Sequence, residues 1–310
     1  MNPIGLCMST GRCGTTYLAH LLKAAYEPEF GIFHEDAPER TSKPNRYLRF
    51  FDEEDFAQMR ADPDVADYLA RFAKHLTARP LIELGNSIVP LVPLLIATFP
   101  GRIRILHLVR DPVTTAASFT TFLMYTQGLE IGNMPPDPIH TRCVHSEYAD
   151  AWEFMSPFEK NLWRWGEYNL LALEIHERHP ELPYMKLTSD ELFRDPLAAR
   201  RVARFFGLPS QDIRPRPDKR NESNPFLRAV SPVGEEWRRF INYPYILELA
   251  QRLGVPVKTE GLAEKMKSYA APSSWELARH RWRMRFNRQW LKEKATRWVS
   301  QFRKAASGIF

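Results

Sequence analysis

The N-terminal stretch of this chain joins an apolar run to a loop of small and polar residues, and then to a helical pattern. Ile4–Met8 is typical of a buried β-strand, and residues 17–22 carry apolar side chains at helical spacing. The unpaired N–H groups and the dipole of a helix N-terminus favour a bound anion. Arg12 adds a positive charge to the loop, and Thr15 and Thr16 add hydroxyl groups. The pattern predicts an oxyanion site.

The loop differs from the nucleotide loop of kinases and NTPases. A Walker A loop has the pattern G-x-x-x-x-G-K-[ST], in which the lysine contacts the transferred phosphate. Here Gly14 is followed by Thr15, and the nearest cation, Arg12, precedes the glycine. A kinase of small molecules is therefore the weaker alternative. An ordinary strand–loop–helix corner without a ligand is a second alternative for this segment taken alone.

A second strand–helix corner lies about a hundred residues further along. Ile103–Val109 is rich in β-branched and apolar residues, and it is followed by Arg110, Asp111 and a proline. Asp111 suits a helix N-cap, and proline suits the first helical position. Ser118 follows Arg110 by eight positions, so its hydroxyl and the guanidinium group are predicted to converge on a second anion. The alternative is an Arg–Asp ion pair that only stabilises the turn.

Strand and helix patterns alternate along the chain. We predict strands over 3–8, 80–84 and 103–109, and helices over 15–25, 36–75 in part, 88–98 and 112–124. Such alternation predicts an α/β fold of three layers, with a central parallel sheet between helices. Ligands of such folds bind at the carboxyl ends of the strands, where both anion corners would lie.

At these two corners the chain resembles the sulfotransferases that use 3′-phosphoadenosine 5′-phosphosulfate (PAPS). The 5′-phosphosulfate loop of that family, a P-loop-type loop, is similar to Thr10–Tyr17, and its 3′-phosphate motif to Leu108–Pro112 with Ser118. The later segments 163–165, 183–187, 191–196 and 203–209 resemble the late strand and the following helix of the family more weakly. The resemblance covers about residues 3–255. Relatives commonly have Tyr-Glu where this chain has Ser189 and Asp190, and a lysine near Glu83.

The resemblance implies PAPS as cosubstrate, with no metal ion, and sulfuryl transfer by in-line displacement to an acceptor hydroxyl or amine. The acceptor is left open among a carbohydrate, a lipid and a small alcohol. It also implies the donor-binding residues: Arg12, Cys13, Gly14, Thr15, Thr16, Tyr17, Arg110, Ser118, Lys219 and Arg220. For Lys219 and Arg220, a place in a solvent-exposed basic linker is an equal alternative. A non-catalytic nucleotide-binding protein at a membrane surface is the remaining alternative for the whole chain.

The reaction needs a group that removes the proton of the acceptor. In related enzymes a Glu or His follows the first helix closely, and this chain has His34 and Glu35 there. Glu35 is our first candidate for the base and His34 the second, while Arg12 is the catalytic cation. The alternative for Glu35 is a solvated loop carboxylate, the usual state of glutamate.

Charge is distributed unevenly along the chain. The net charge is +6, but residues 273–310 hold ten basic and two acidic side chains, which leaves the preceding 272 residues at −2. Trp282, Phe286 and Trp290 recur every four residues within this segment.

We predict a sulfotransferase domain over 1–262 and a basic, aromatic helical extension over 263–310. The stretch 275–304 suits an anionic membrane surface. Packing on the domain is the main alternative, and an acidic protein or, least favoured, nucleic acid are others.

The remaining features restrict the environment and the metal chemistry. Three scattered cysteines indicate a reducing compartment, and no secretory signal is visible, so we expect a cytoplasmic protein, peripheral at the inner membrane face if the extension binds lipid. His140, Cys143 and His145 lack the paired motif of a zinc site. Cys13, beside Arg12, has either an unusually acidic thiol or only a small side chain. Residues 125–156 are predicted as an acceptor-side insertion, or a passive surface loop.

Overall fold

A computed structural model describes residues 2–35, 44–126, 135–211, 213 and 224–286. Several predicted features lie outside these ranges: Lys219 and Arg220, the 127–134 part of the predicted insertion, and the 287–310 part of the predicted extension.

The described residues form one five-stranded sheet. Its strands are β1 (Ile4–Met8), β2 (Gly31–Phe33), β3 (Leu81–Glu83), β4 (Ile103–Val109) and β5 (Tyr184–Thr188). Their order is β2-β3-β1-β4-β5, and every neighbouring pair is parallel. The predicted parallel sheet is confirmed. Because β1 lies in the middle, its carboxyl end opens at the centre of the ligand-binding edge.

Helices cover both faces of this sheet. They are α1 (Thr15–Tyr26), α2 (Glu53–Ala61), α3 (Pro63–Ala78), α4 (Val92–Thr98), α5 (Pro112–Thr120), α6 (Pro157–Arg178), α7 (Ser189–Arg194), α8 (Ala198–Phe205), α9 (Pro225–Val230), α10 (Pro244–Arg252), α11 (Leu262–Lys267) and α12 (Ser274–Phe286). Alternate residues of β1 join different cores: Leu6 and Met8 pack with α4 and α6, while Cys7 packs with α1 and α8. Both faces are therefore buried, which explains the continuous apolar run.

Three local features differ from the sequence prediction. The helix predicted over 112–124 ends at Thr120, because Leu123 and Tyr125 have φ angles of 64° and 61°, which no α-helix accommodates. The helix predicted over 88–98 is divided into a 3₁₀ segment, Asn86–Leu91, and α4, since Pro90 has no N–H to donate. The edge strand β2, of three residues, was not predicted.

The segment after the predicted domain boundary at 262 contributes to the core. Met266 and Tyr269 are buried with α5, α6 and α10, and the N–H of Val233 donates to the carbonyl of Tyr269 at 3.0 Å. The boundary itself stays a prediction. Within the described ranges, no helix is long and apolar enough to cross a membrane.

A buried carboxylate of α6 holds the described part of the predicted insertion. Glu167 is fully buried, and its two oxygens accept the N–H groups of Val144 and His145, both at 2.9 Å. The Arg49 guanidinium donates to the same carboxylate at 3.1 Å, and the Trp163 indole N–H donates to the carbonyl of His145 at 3.0 Å. The insertion is thus attached to α6 by hydrogen bonds to a buried carboxylate and an indole N–H.

We expect Glu167→Ala to lower the free energy of unfolding by about 3–5 kcal/mol, because it leaves two N–H groups without their acceptor and removes one of the two carboxylates that pair with the buried Arg49. Urea unfolding followed by circular dichroism measures the change. Glu177 is the matched control, since it lies on the same helix in an exposed ion pair with Arg252. Glu177→Ala is expected within about 0.5 kcal/mol of the wild type. Equal effects of the two substitutions would contradict the anchoring role.

Candidate functional site

The loop between β1 and α1 has a left-handed backbone at three positions. The φ angles are 83° at Gly11, 58° at Arg12 and 100° at Gly14. Successive N–H groups in such conformations form a concave anion site. Gly14 is the N-cap residue of α1, and it makes no side-chain cap to the first turn, which also contains no acidic residue.

The helices that follow β4 and β5 have capped N-termini, unlike α1. Asp111 caps α5 by accepting the N–H of Thr114 at 2.9 Å, and Thr188 forms a capping box with Glu191 at the start of α7. The positive end of α1 is therefore the one of these three that remains open to an external anion.

Side chains from three other elements hold the carbonyl groups of this loop. The contacts are Arg164 Nη1 to Thr10 O (2.8 Å), Arg110 Nη1 to Arg12 O (3.0 Å) and Ser189 Oγ to Cys13 O (2.7 Å). Because a trans peptide places its N–H opposite its C=O, the N–H groups of residues 11, 13 and 14 point away from these donors. Gly11 donates to Ser9 Oγ at 2.9 Å, whereas the amides of Cys13 and Gly14 have no such partner among the residues that the structure describes.

Two arginines meet beside these amides, and Ser118, which was predicted to converge with Arg110, accepts a hydrogen bond from Arg12. Arg12 Nε donates to Ser118 Oγ at 3.0 Å, and Arg110 donates to the carbonyl of Arg12. Burial lowers the pKa of Arg12, and the neighbouring charge of Arg110 lowers it further. Among the described residues, neither guanidinium forms a salt bridge with a carboxylate; the Arg12 group lies 4.0 Å from the Phe122 ring centroid. The pair is a positive site whose charge an anion would neutralise.

Residues that the sequence analysis missed fix the orientation of Arg110. Its Nη2 atom lies 3.1 Å from the Tyr269 hydroxyl, and its carbonyl accepts the Trp165 indole N–H at 2.9 Å. Tyr269 follows Arg110 by 159 positions, and no local pattern marks it. Trp165 lay within a segment of the family resemblance, which was the one available signal.

A cavity of about 420 Å³ adjoins Arg110 at the ends of β4 and β5. Its lining includes Arg110, Thr188, Ser189, Val255, Lys258 and Lys265. A second concavity, of about 490 Å³, lies beside Arg46 and Asp62 and contains none of the predicted site residues. The cavity at Arg110 is therefore the one that continues the anion site.

His34 contacts the first two residues of α1 directly. Its Nε2 atom lies 3.1 Å from the Thr15 hydroxyl and 3.2 Å from that of Thr16. Burial lowers the pKa of the imidazole, although the charge of Glu35 acts in the opposite direction. A neutral ring with its proton on Nδ1 can accept a hydroxyl proton at Nε2.

Glu35 is held by its backbone, while its side chain is exposed. Its φ angle is 62°, an uncommon value for a residue with a side chain. The Glu35 N–H donates to Glu83 Oε1 at 3.1 Å, and the Gly85 N–H donates to the same oxygen at 2.7 Å. A Cβ atom on Gly85 would lie 2.4 Å from the Glu35 nitrogen, so only glycine fits there.

Comparison with known proteins identifies the family. A profile described as a sulfotransferase domain matches residues 5–223, which is more than half of the chain. The chain belongs to the sulfotransferase domain family. No curated protein sequence matches it.

Three solved structures are similar to this sulfotransferase chain. A sulfotransferase from Alicyclobacillus acidocaldarius has a TM-score of 0.49 and 16% identity, covering 83% of this chain and 98% of its own. The sulfotransferase domain of the Synechococcus PCC 7002 olefin synthase has a TM-score of 0.48 and 17% identity, covering 83% and 96%. Mouse sulfotransferase SULT7A1, complexed with PAP, has a TM-score of 0.38 and 15% identity, covering 87% and 89%.

The remaining predicted site residues of the sulfotransferase domain lie as follows. Tyr17 packs on Phe193, with ring centroids 5.3 Å apart, at the side of α1 that faces α7. His140 contacts Asp137 and His145 contacts Glu147, so these histidines do not converge with Cys143. Within the described part of the chain, no group of three His, Cys, Asp or Glu side chains is placed to hold a metal ion.

Cys13 has no exposed surface, and burial raises the pKa of its thiol. The structure therefore supports the small-side-chain alternative over the acidic thiol.

We expect iodoacetamide at pH 8 to leave Cys13 unmodified in the native protein and to modify it after unfolding in urea. Cys143 is partly exposed, with a pKa raised by burial to about 11, and is expected to react slowly. Mass spectrometry of the wild type and of Cys143→Ser measures the labelling of Cys13 and of Cys143. Rapid labelling of Cys13 in the native protein would favour the acidic thiol instead.

Proposed function

We propose that this sulfotransferase transfers a sulfuryl group from PAPS to an acceptor hydroxyl or amine. The observation that carries the proposal is the meeting of Arg12, Ser118 and Arg110 beside the uncapped N-terminus of α1. PAPS has an anionic group at each end of its ribose, and a site with two adjoining arginines and free amides suits such a ligand.

In this proposal each part of the donor meets a different part of the site. The 5′-phosphosulfate accepts hydrogen bonds from the amides of Cys13 and Gly14, from the Thr15 and Thr16 hydroxyls and from Arg12. The 3′-phosphate meets Arg110 and Ser118, and the nucleoside occupies the adjoining cavity. Lys258 and Lys265 add positive charge to the lining of that cavity. Lys219 and Arg220 remain predicted 3′-phosphate ligands.

The transfer is a substitution at sulfur. The acceptor oxygen or nitrogen forms a bond to sulfur while the bond from sulfur to the 5′-phosphate oxygen breaks, and 3′-phosphoadenosine 5′-phosphate (PAP) leaves. Negative charge grows on the departing phosphate, where Arg12 and the loop amides already point, so no reorganisation is needed at the moment of reaction. The acceptor proton passes to a base.

Glu35 is the proposed base, and His34 is the proposed positioning residue for the loop. The Nε2 atom of His34 is already engaged with the Thr15 and Thr16 hydroxyls. Glu35 has an exposed side chain whose charge interacts with Arg12. A carboxylate near the loop cation and open to solvent can receive an acceptor on its free side.

Glu83 positions the base. Its buried carboxylate accepts two N–H groups and so holds Glu35 in a left-handed conformation, which costs about 1–2 kcal/mol for a residue with a side chain. Strained residues of this kind are concentrated at functional sites. The relatives have a lysine near this position, so the arrangement around Glu83 is a departure with a structural purpose of its own.

Calorimetric titration of PAP in EDTA tests the donor site. We expect micromolar or tighter binding, and much weaker binding of ADP, which lacks the 3′-phosphate. Arg110→Ala should lose at least about tenfold in PAP affinity, since it removes a charge-assisted contact. Arg104→Ala is the matched control, because Arg104 lies near the opposite end of β4 and donates to the carbonyl of Phe205.

Other outcomes of this titration would contradict the proposal in distinct ways. Preference for ADP with magnesium would favour a kinase. Normal PAP binding by Arg110→Ala would remove only the 3′-phosphate assignment.

We expect Glu35→Gln to lower kcat by about 10²–10⁴-fold with little change in PAP affinity, because it removes proton transfer and leaves the donor site intact. Transfer of radiolabelled sulfate from PAPS is measured with an acceptor identified in a panel of carbohydrates, lipids and alcohols. Glu83→Gln retains an oxygen for the two N–H groups and should keep more activity than Glu83→Ala. Full activity in a Glu35→Ala, His34→Ala double variant would exclude both residues as the base.

A further inference from the structure

The guanidinium group of Arg12 lies over the aromatic face of Phe122. Its central carbon atom, Cζ, is 4.0 Å from the centroid of the ring. An aromatic face attracts a cation through its quadrupole, and the planar group of arginine stacks well on such a face. A carboxylate in the place of the ring would neutralise the positive charge of Arg12. The ring instead holds the guanidinium group and leaves its charge for an external anion.

The end of α5 brings two side chains to Arg12. Ser118 and Phe122 are four positions apart, a spacing that places side chains on the same face of a helix. The helical hydrogen bonds reach this point, since the N–H of Thr121 donates to the carbonyl of Ala117 at 3.1 Å. Ser118 Oγ accepts the Nε–H of Arg12 at 3.0 Å, while Phe122 covers the face of the guanidinium group. One turn of the chain therefore fixes both an edge and a face of the same cation.

The backbone immediately after Phe122 is strained. Leu123 has a φ angle of 64°, in the left-handed position that glycine usually occupies at the end of a helix. The N–H groups of Leu123 and Met124 both donate to carbonyl groups in the last turn of α5, at 3.0 and 3.2 Å, which is the Schellman pattern. The Leu123 side chain is buried, so the surrounding structure maintains this conformation. Strain of this kind is concentrated at functional sites, and here it fixes the position of the Phe122 ring.

The face-on contact leaves the edge of the guanidinium group for a ligand. All N–H groups of the guanidinium lie in its plane, so a ring above that plane engages none of them. Ser118 accepts from Nε, and the two Nη amino groups form another edge of the same plane. Such an edge binds two oxygens of a phosphate-like group side by side. The contact with Phe122 therefore orients a group that is suited to an anionic donor.

We propose that Phe122 is a positioning residue for Arg12, whose guanidinium edge it holds ready for the phosphosulfate of the donor. The inference deepens the proposed PAPS site and rests on it. An arginine side chain that rotates freely loses conformational entropy each time it binds an anion, whereas one held by a ring has lost that entropy on folding. Arg12 then meets the charge that grows on the departing phosphate without moving, which is the condition for electrostatic catalysis.

Titration of the full-length protein with PAP tests this role. Phe122→Leu keeps an apolar side chain but removes the ring face, and we expect it to weaken PAP binding about three- to thirtyfold. Phe122→Tyr keeps a ring face and should bind PAP within about twofold of the wild type. Phe51→Leu is the matched control, because the Phe51 ring centroid lies 4.2 Å from Arg178 Cζ. Arg178 ends α6, about 20 Å along that helix from Arg164, which contacts the donor loop.

A series of fluorinated phenylalanines at position 122 separates the cation–π contact from packing. Each fluorine atom withdraws negative charge from the face of the ring and changes its shape little. We expect the PAP affinity to fall stepwise as one, two and three fluorine atoms are added, because the attraction of the ring for the cation weakens. The same series at Phe51 should show no trend. Constant affinity across the series at Phe122, or wild-type affinity of Phe122→Leu, would overturn the proposal.

An NMR measurement without ligand distinguishes failure of this inference from failure of the proposed function. In the full-length protein with isotope-labelled arginine, the Nε–H signal of Arg12 is identified by its loss in Arg12→Lys. The ring current of Phe122 should shift this signal upfield, and the shift should disappear in Phe122→Leu, whose folding is verified by circular dichroism. If the wild type binds no PAP, the donor assignment and the proposed function fail, but the shift still reports whether Phe122 holds Arg12. An identical signal in the wild type and in Phe122→Leu would overturn the contact itself.

Discussion

The hydrogen bonds to the carbonyl groups of the β1–α1 loop support the rest of the site. Arg164, Arg110 and Ser189 each hold one loop carbonyl, and each comes from a different element of the fold. Since N–H and C=O lie on opposite sides of a peptide plane, these contacts turn the loop amides towards the ligand side. The left-handed residues of the loop are stable only while this surrounding structure holds them.

The same contacts bring positive charges together in a partly buried place. Burial lowers the pKa of Arg12, and the charge of Arg110 lowers it further. Burial opposes the charge of Arg110 as well, but Tyr269 and Asp111 outweigh it and raise the pKa of that guanidinium. Tyr269 and Trp165 offset part of the penalty by fixing Arg110. Two adjoining guanidinium groups bind an anion most strongly when it carries two negative groups. Folding has already supplied the free energy that orients them.

A second constrained segment lies across the loop from these arginines. Glu83 draws two backbone N–H groups onto one buried oxygen, and Gly85 leaves the space that Glu35 needs. His34, next in the chain, contacts the hydroxyls of the loop. The end of β2, the end of β3 and the start of α1 therefore form one connected unit, in which the candidate base is fixed relative to the candidate donor site.

Periodicity in the sequence determined the strands β1 and β4 and the start of the helices after them, because strand–loop–helix corners are local. Local motifs also marked Arg12, Arg110 and Ser118 as candidate anion ligands, and the structure brings them together where the carboxyl ends of parallel strands lie. The short strand β2 was not predicted, the end of α5 depended on φ angles that no hydrophobic pattern records, and the division near Pro90 followed from the missing N–H of proline. Only the tertiary structure decided that Tyr269, Ser189 and Glu83 support the site. Tyr269 contacts Arg110 across 159 positions, Ser189 contacts Cys13 across 176, and Glu83 contacts Glu35 across 48. A hydrogen bond between distant residues leaves no periodic signal in either segment.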